Sequence, residues 1–296
     1  MNKRFTLCLL FVLVLVAACS GPAGSSQNAQ QGGAVTSIQN KGSDTMVNLA
    51  LAWAEEYQKE KPAVRLSVTG GGTGTGMSAL ANSTTDIANA SRQITREEKA
   101  EADKQAYTAV EFVVARDAIG VIVNPHNPVS QLTMQQISKI YKGQINNWKE
   151  VGGEDRPIVR LSRETNSGTH VYFLGTVVRL GNAKDTDIFS SDTLLLPSSE
   201  GIISEVSDNP NAIGYDGLGY LTPSVKILAV AEKPGKPYVI PSIETVNNNT
   251  YPISRDLYMY TRNQPAGEVK TYIDWIFSAP AQKIVSDLGF VPLKKK

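Results

Sequence analysis

The sequence predicts an α/β protein with largely parallel sheets. Three observations lead there. Strand-like runs alternate with amphipathic helical segments along most of the chain, the pattern of parallel strands joined by helices. The joins from strand to helix are short and rich in Gly, Ser and Thr. At 296 residues the chain can form roughly two domains of about 100–200 residues each.

The elements follow in order. SIQNKG (37–42) reads as a strand. In the next segment Met46, Leu49, Ala50, Trp53, Ala54 and Tyr57 recur at helical spacing and form one apolar face. Lys59 to Pro62 ends that helix, AVRLSV (63–68) is a strand, and TGGGTGTG breaks it before a short helix, MSALAN. TTDIANAS is a further strand, and REEKAEADKQ is a charged helix or loop. TAVEFVVARDAIGVIVNP (108–125) is a long β-rich run. LTMQQISKIYKGQINNWKEVGG reads as a helix, a turn and an exposed Trp148. PIVRLS is a strand leading into RETNSGTH, and a helix over 168–180 follows. KILAV (226–230) and YPISRDLYMYT (251–261) are strand-like, and two helices, GEVKTYIDWIFSA and PAQKIVSDLGF, close the chain. No internal repeat is evident.

Composition narrows the function. With 29 Lys+Arg against 28 Asp+Glu, the chain carries no basic excess of the kind that nucleic acid selects. Two His and two Cys leave little material for a multi-ligand metal site or for Cys-His catalysis. Both cysteines lie in the first nineteen residues, where MNKR precedes an apolar run that ends in Val16-Ala17-Ala18-Cys19. A positive start and a short apolar stretch make an export signal over 1–18. Small residues directly before a Cys resemble a bacterial lipobox, so Cys19 is the expected lipidation site. Residues 19–36 are rich in Gly, Ser, Gln and Ala and uncharged, as in a flexible tether.

Three strand-to-helix turns share one chemistry. They are Ser43-Asp44-Thr45 after Gly42, the glycine-rich stretch Gly70 to Gly76 with Thr73, and Ser167-Gly168-Thr169 after Arg163. A helix N-terminus offers unpaired N–H groups and partial positive charge, and hydroxyls beside it suit an anion. Each turn also has a plainer reading. Asp44, Thr45, Ser167 or Thr169 can cap its own helix, and a lone glycine-rich loop without the P-loop lysine is a weak signal. Three alike point to a shared anion site at the carboxyl ends of strands.

GSDTM, GGGTGTG, TDIANASR, IYKGQINNWKEVGG, RETNSGT, NPNAIGYDGLGYL and AQKIVSDLGFVPL stand in this order. On them the sequence resembles the PstS-like phosphate-binding lipoproteins of ABC phosphate importers, within the periplasmic-binding-protein superfamily. The likeness runs over about residues 37–295. It implies a two-lobed type II periplasmic-binding-protein fold with the ligand in the interlobe cleft. Lobe 1 would comprise 37–115 and 251–296, lobe 2 would comprise 116–250, and the crossovers would fall near 114–118 and 249–256.

The likeness also implies that inorganic phosphate is bound by Ser43, Asp44, Thr45, Thr73, Arg163, Ser167, Gly168 and Thr169, and Ser91 and Arg92 beside them are further expected ligands. The implied partners are phosphate, the transmembrane subunits of an ABC permease and the membrane through the lipid anchor, with no nucleic acid, cofactor or metal. The chain is expected to be a monomer and not an enzyme. One position departs from the family pattern: better-known members have an Asp after Ala90-Ser91, and here Arg92 stands there. An arginine cannot accept the hydrogen bond of a protonated phosphate. Asp44 is the candidate replacement, its other reading being an N-cap. Arg92 would add charge on the anion or pair with Asp86. Sulfate, molybdate or tungstate binding is the alternative, and phosphate-ester hydrolysis a more distant one. His170 is expected to be packed rather than catalytic, and Tyr215 and Tyr220 to lie in the core.

Overall fold

The computed structural model describes residues 35–294, so the leader, Cys19 and most of the tether lie outside the described residues. The chain runs β1 (Thr36–Gly42), α1 (Val47–Glu60), β2 (Val64–Thr69), α2 (Thr73–Ala81), β3 (Ile87–Ala90), α3 (Arg96–Lys104), β4 (Ala109–Val123), β5 (Gln131–Thr133) and α4 (Met134–Tyr141). It continues through β6 (Val159–Arg163), α5 (Gly168–Phe173), β7 (Leu194–Leu196), α6 (Ser199–Asp208), β8 (Ala212–Gly217), β9 (Lys226–Ile227) and β10 (Ala229–Ala231). It closes with α7 (Ile243–Asn247), β11 (Ser254–Arg262), α8 (Gly267–Ile276) and α9 (Ala279–Asp287).

The main sheet has the order β2-β1-β3-β11-β4-β8-β6-β7. Its two wings are parallel: β1 with β2 and β3, and β6 with β7 and β8. The centre is antiparallel, because β11 returns between β3 and β4. The long strand β4 belongs to both wings. It pairs with β11 over 109–118 and with β8 over 119–123.

Two cores follow from that division. One gathers Ile38, Leu49, Trp53, Val114, Ala115, Leu257 and Met259 with the closing helices. The other gathers Ile119, Val121, Ile137, Trp148, Phe173, Ile213 and Tyr215. Within the stretch that serves the first core, the ladder of β4 and β11 slips by one residue. Leu257 faces Ala115 and Tyr258 faces Val113, so Val114 is left over as a bulge.

The α1 apolar face is buried as its spacing predicts. The charged segment 96–104 is a helix, secured by a Thr95–Glu98 capping box. Several expectations need correction. Trp148 is buried, at 1 % exposure, because it packs in the second core with Val129, Ile145 and Ile158, and its indole N–H is satisfied by Asn211 O at 3.0 Å. The helix after Ser167 keeps α-helical pairing only to Phe173 and widens into a π-turn over Leu174–Val178. KILAV divides at Leu228, whose N–H goes to Val121 O. The three-leucine strand β7, the edge of its wing, and the short helix α7 were not foreseen. No helix among the described residues is long and apolar enough to cross a membrane.

Candidate anion-binding site

The three turns meet. Gly42 ends β1 with φ at +149°, and a side chain there would strike the Asn89 carbonyl. The close approach lets Ser43 N–H donate to Asn89 O at 2.9 Å, so the first turn is tied to the end of β3. Ser43 Oγ donates to Ser91 Oγ at 2.9 Å. The second turn contributes Thr73, the first residue of α2, whose hydroxyl accepts from Ser91 N–H at 3.1 Å. Thr73 Oγ1 and Ser91 Oγ lie 3.4 Å apart. From the third turn, Thr169 Oγ1 lies 2.8 Å from Thr45 Oγ1. Gly168 faces Thr73 and Ser91 so closely that a methyl group there would overlap both hydroxyls. All five hydroxyl-bearing residues are buried.

Ser167 is the cap of its own helix, accepting from Thr169 N–H at 3.2 Å, so its plainer reading holds for the side chain. Asp44 is not an N-cap. It is the first residue of a 3₁₀ turn, and its carboxylate reaches outward from it. Oδ1 accepts from Gly71 N–H at 2.8 Å, and Oδ2 accepts from Arg163 Nη2 at 2.8 Å. The pair joins the first turn to the third.

Arg163 is 1 % exposed at the end of β6. Its donors go to Leu196 O, Ser199 Oγ, Asp44 and Pro197 O. Those four bonds leave one of the five guanidinium N–H groups free. Ser199 in turn donates to Asp216 Oδ1 at 3.1 Å.

Arg92 departs from its expected place. Its guanidinium grips Glu98 with both terminal nitrogens, at 2.8 and 2.7 Å, on the start of α3. Asp86 accepts instead from Gln39 N–H at 2.7 Å. The Thr95–Glu98 capping box sets the carboxylate where Arg92 meets it, and a bidentate pair of this kind is geometrically demanding. The pairing with Asp86 is not formed, and the Arg92 guanidinium bonds Glu98 and none of the seam hydroxyls.

Sequence reasoning missed Arg255 and Asp117. They face each other on β11 and β4. Arg255 Nε and Nη2 donate to Asp117 Oδ2 at 3.2 and 3.0 Å. Its other contacts are Ser91 O at 3.0 Å, Thr169 Oγ1 at 3.0 Å and Thr45 Oγ1 at 3.3 Å. Burial pushes the Asp117 carboxyl up, and the Arg255 guanidinium and the Leu218 N–H oppose that shift. Two strand residues far apart in sequence carry no motif; only the ladder between the crossover strands could have revealed them. Tyr220 has its ring buried in the core, as the sequence predicts, while its hydroxyl donates to Asp44 O at 2.7 Å. Tyr215 lies wholly in the core, stacked on Phe173.

Asp216 is a second buried carboxyl, and its Oδ2 has no hydrogen-bond partner. Burial pushes it up to about 6, against the pull of Arg163. A folded-state value above the ordinary 3.8 means that the folded protein holds the proton longer than the unfolded chain. Stability from this group is therefore full below about pH 4 and is lost as pH rises through about 6. Asp216→Asn should remove that slope. The variant should gain about 1–3 kcal/mol at pH 7.5 and little at pH 4.5. Melting curves across this range that stay parallel to wild type would count against it.

His170 is packed against Phe189. Its Nδ1 lies 2.8 Å from Arg163 O and 3.1 Å from Ser162 Oγ. A carbonyl accepts only, so Nδ1 carries the proton and cannot serve as a base toward Ser162. Burial also pushes the imidazole down. Among the described residues no group of three or more His, Cys, Asp or Glu could hold a metal ion.

A buried seam of hydroxyls and helix starts, flanked by two ion-paired arginines, defines an anion-binding member of the two-lobed binding proteins. A family model described as a PBP superfamily domain matches residues 27–280. The phosphate-binding protein PstS of Pseudomonas aeruginosa is 31% identical over 99% of this chain and 96% of its own length. PstS of Bacillus subtilis is 31% identical over 99% and 94%. A Clostridium perfringens protein, described as a phosphate ABC transporter substrate-binding protein and solved with bound phosphate, is 32% identical with a TM-score of 0.79. It is matched over 88% of this chain and 100% of its own. The chain belongs to the PstS-like phosphate-binding family of the PBP superfamily.

Proposed function

We propose that this chain is an extracytoplasmic binding protein that captures inorganic phosphate in the seam and delivers it to an ABC permease, without catalysing a reaction. The observation that carries the reading is the meeting of three helix-start turns through Ser43, Thr45, Thr73, Ser91 and Thr169 beside buried Arg163. Their hydroxyls bond one another, and a tetrahedral anion would exchange those contacts for its own oxygens. The names and the bound phosphate of the relatives support the same ligand. Lobe 1 comprises 37–115 and 251–296, and lobe 2 comprises 116–250. The change of partner along β4 supports that division.

Within this reading Ser43, Thr45, Thr73, Ser91 and Thr169 are hydroxyl donors, and Ser167 and Gly168 present the start of α5. Asp44 takes the acceptor role that Arg92 cannot fill, since a carboxylate keeps lone pairs beyond its bonds to Gly71 and Arg163. Cys19 anchors the protein in the membrane as a lipidated residue, and the folded body acts as a monomer. Cys19→Ser should move the protein into the soluble fraction; retention on salt-washed membranes would refute the anchor.

Calorimetry of wild type against phosphate, sulfate and molybdate tests the ligand. Phosphate should bind tightest. Preference for either other anion would overturn the phosphate assignment. Asp44→Asn, measured alongside, should narrow the phosphate-to-sulfate ratio at least tenfold, about 1.4 kcal/mol, because an amide can donate to an unprotonated anion. An unchanged ratio would remove Asp44 from the acceptor role.

A further inference from the structure

We propose that Arg255 is a second anion-binding cation of this cleft, presented from the crossover strand β11 and held in aim by Asp117 on β4. The inference rests on the anion-binding reading above.

Position is the first argument. Arg255 and Asp117 are direct partners on the two strands that carry the chain between the wings of the sheet. From that join the guanidinium addresses both sides of the seam. Nη1 donates to Ser91 O, and Nη2 reaches Thr45 Oγ1 on one side and Thr169 Oγ1 on the other. An oxyanion that takes over from the Thr45–Thr169 contact meets Nη2 at once.

The second argument compares the two arginines. Arg163 spends its donors on two carbonyls, one serine and one carboxylate, and none goes to the meeting hydroxyls. Arg255 spends two on Asp117, and Nη2 also points at hydroxyls that a ligand can displace. Nη2 has two hydrogens for three acceptors, so an anion oxygen would win a donor now shared among them.

The third argument concerns aim. Asp117 Oδ1 is fixed by Leu218 N–H at 3.0 Å while Oδ2 holds the guanidinium. A side chain at position 217 would press on Oδ2, and glycine stands there. The Asp117 carboxylate is thus a positioning group, bound on one side by backbone and on the other by the arginine it orients.

A buried ion pair also has structural value, and the test must separate that from anion binding. The double variant Asp117→Asn/Arg255→Gln removes both charges, keeps a hydrogen-bonding amide at each position and leaves no lone buried ion. Arg255→Lys keeps the charge and loses the fork. Arg92→Gln is the control for loss of a largely buried, paired arginine outside the seam. Phosphate affinity is read by calorimetry, and folding by circular dichroism and melting.

The double variant should fold and bind phosphate at least thirtyfold more weakly, Arg255→Lys should lie between it and wild type, and Arg92→Gln should match wild type. A folded double variant binding within threefold of wild type would overturn the role of Arg255 alone. An equal loss in Arg92→Gln would assign the effect to packing and overturn it too. A wild type that binds none of phosphate, sulfate or molybdate would overturn the anion-binding reading beneath it.

Discussion

Arg163→Ala is expected to weaken phosphate binding between about thirtyfold and several thousandfold, which corresponds to about 2–5 kcal/mol for truncating a buried, hydrogen-bonded charge. The loss has two parts. The positive charge beside the anion goes, together with the free N–H that Arg163 keeps. Asp44 Oδ2 then loses its partner and faces the anion as an uncompensated carboxylate. Stability should fall as well, because Arg163 also ties Leu196, Pro197 and Ser199 to the end of β6. Arg163→Lys, which keeps the charge and loses the fork, should bind at an intermediate level. Calorimetry of both variants, with melting temperatures measured in parallel, decides the matter. Native affinity in Arg163→Ala would remove the residue from the site.

Gly168→Ala is expected to weaken binding by about tenfold to a hundredfold while leaving the fold intact. Here the added methyl group would overlap Thr73 Oγ1 and Ser91 Oγ, the hydroxyls of the opposite turns. Relieving such overpacking costs about 1–3 kcal/mol, and the relief must come from moving the turns apart. The residue starts α5, where alanine is a better helix former than glycine. A fall in affinity with a melting temperature that is unchanged or only modestly lowered is the expected pattern. Affinity within threefold of wild type would mean that the turns need not approach so closely.

Local signals in the sequence were readable where one segment decides the outcome. The α1 face, the strand-to-helix alternation and the three hydroxyl-rich turns each follow from side-chain spacing or from turn chemistry within a few residues. Arg163, Thr73 and Thr169 could be named because each sits in such a turn. Asp44 was named too, but its bond to Arg163 spans 119 positions and no pattern encodes it. Arg255 and Asp117 lie 138 positions apart in plain strand sequence and become visible only through the register of β11 on β4. Arg92 bonds Glu98 for a local reason. The capping box six residues on supplied a carboxylate that the arginine reaches more easily than the seam. Trp148 differs from its reading because the burial of a loop depends on what packs against it, here the second core, with the Asn211 carbonyl taking the indole N–H.

The bulge at Val114 concerns heredity as much as shape. Side chains alternate along a strand, so one surplus residue exchanges the faces of everything beyond it. In β4 that surplus lies within the stretch serving one core, three positions before Asp117, and the stretch serving the other core begins at Ala118. A substitution in this strand alters one side chain, whereas a single-codon insertion or deletion would turn the aim of Asp117 and the whole second half away from their targets together. The count of residues through this strand is therefore held more tightly than a scan of single substitutions would reveal.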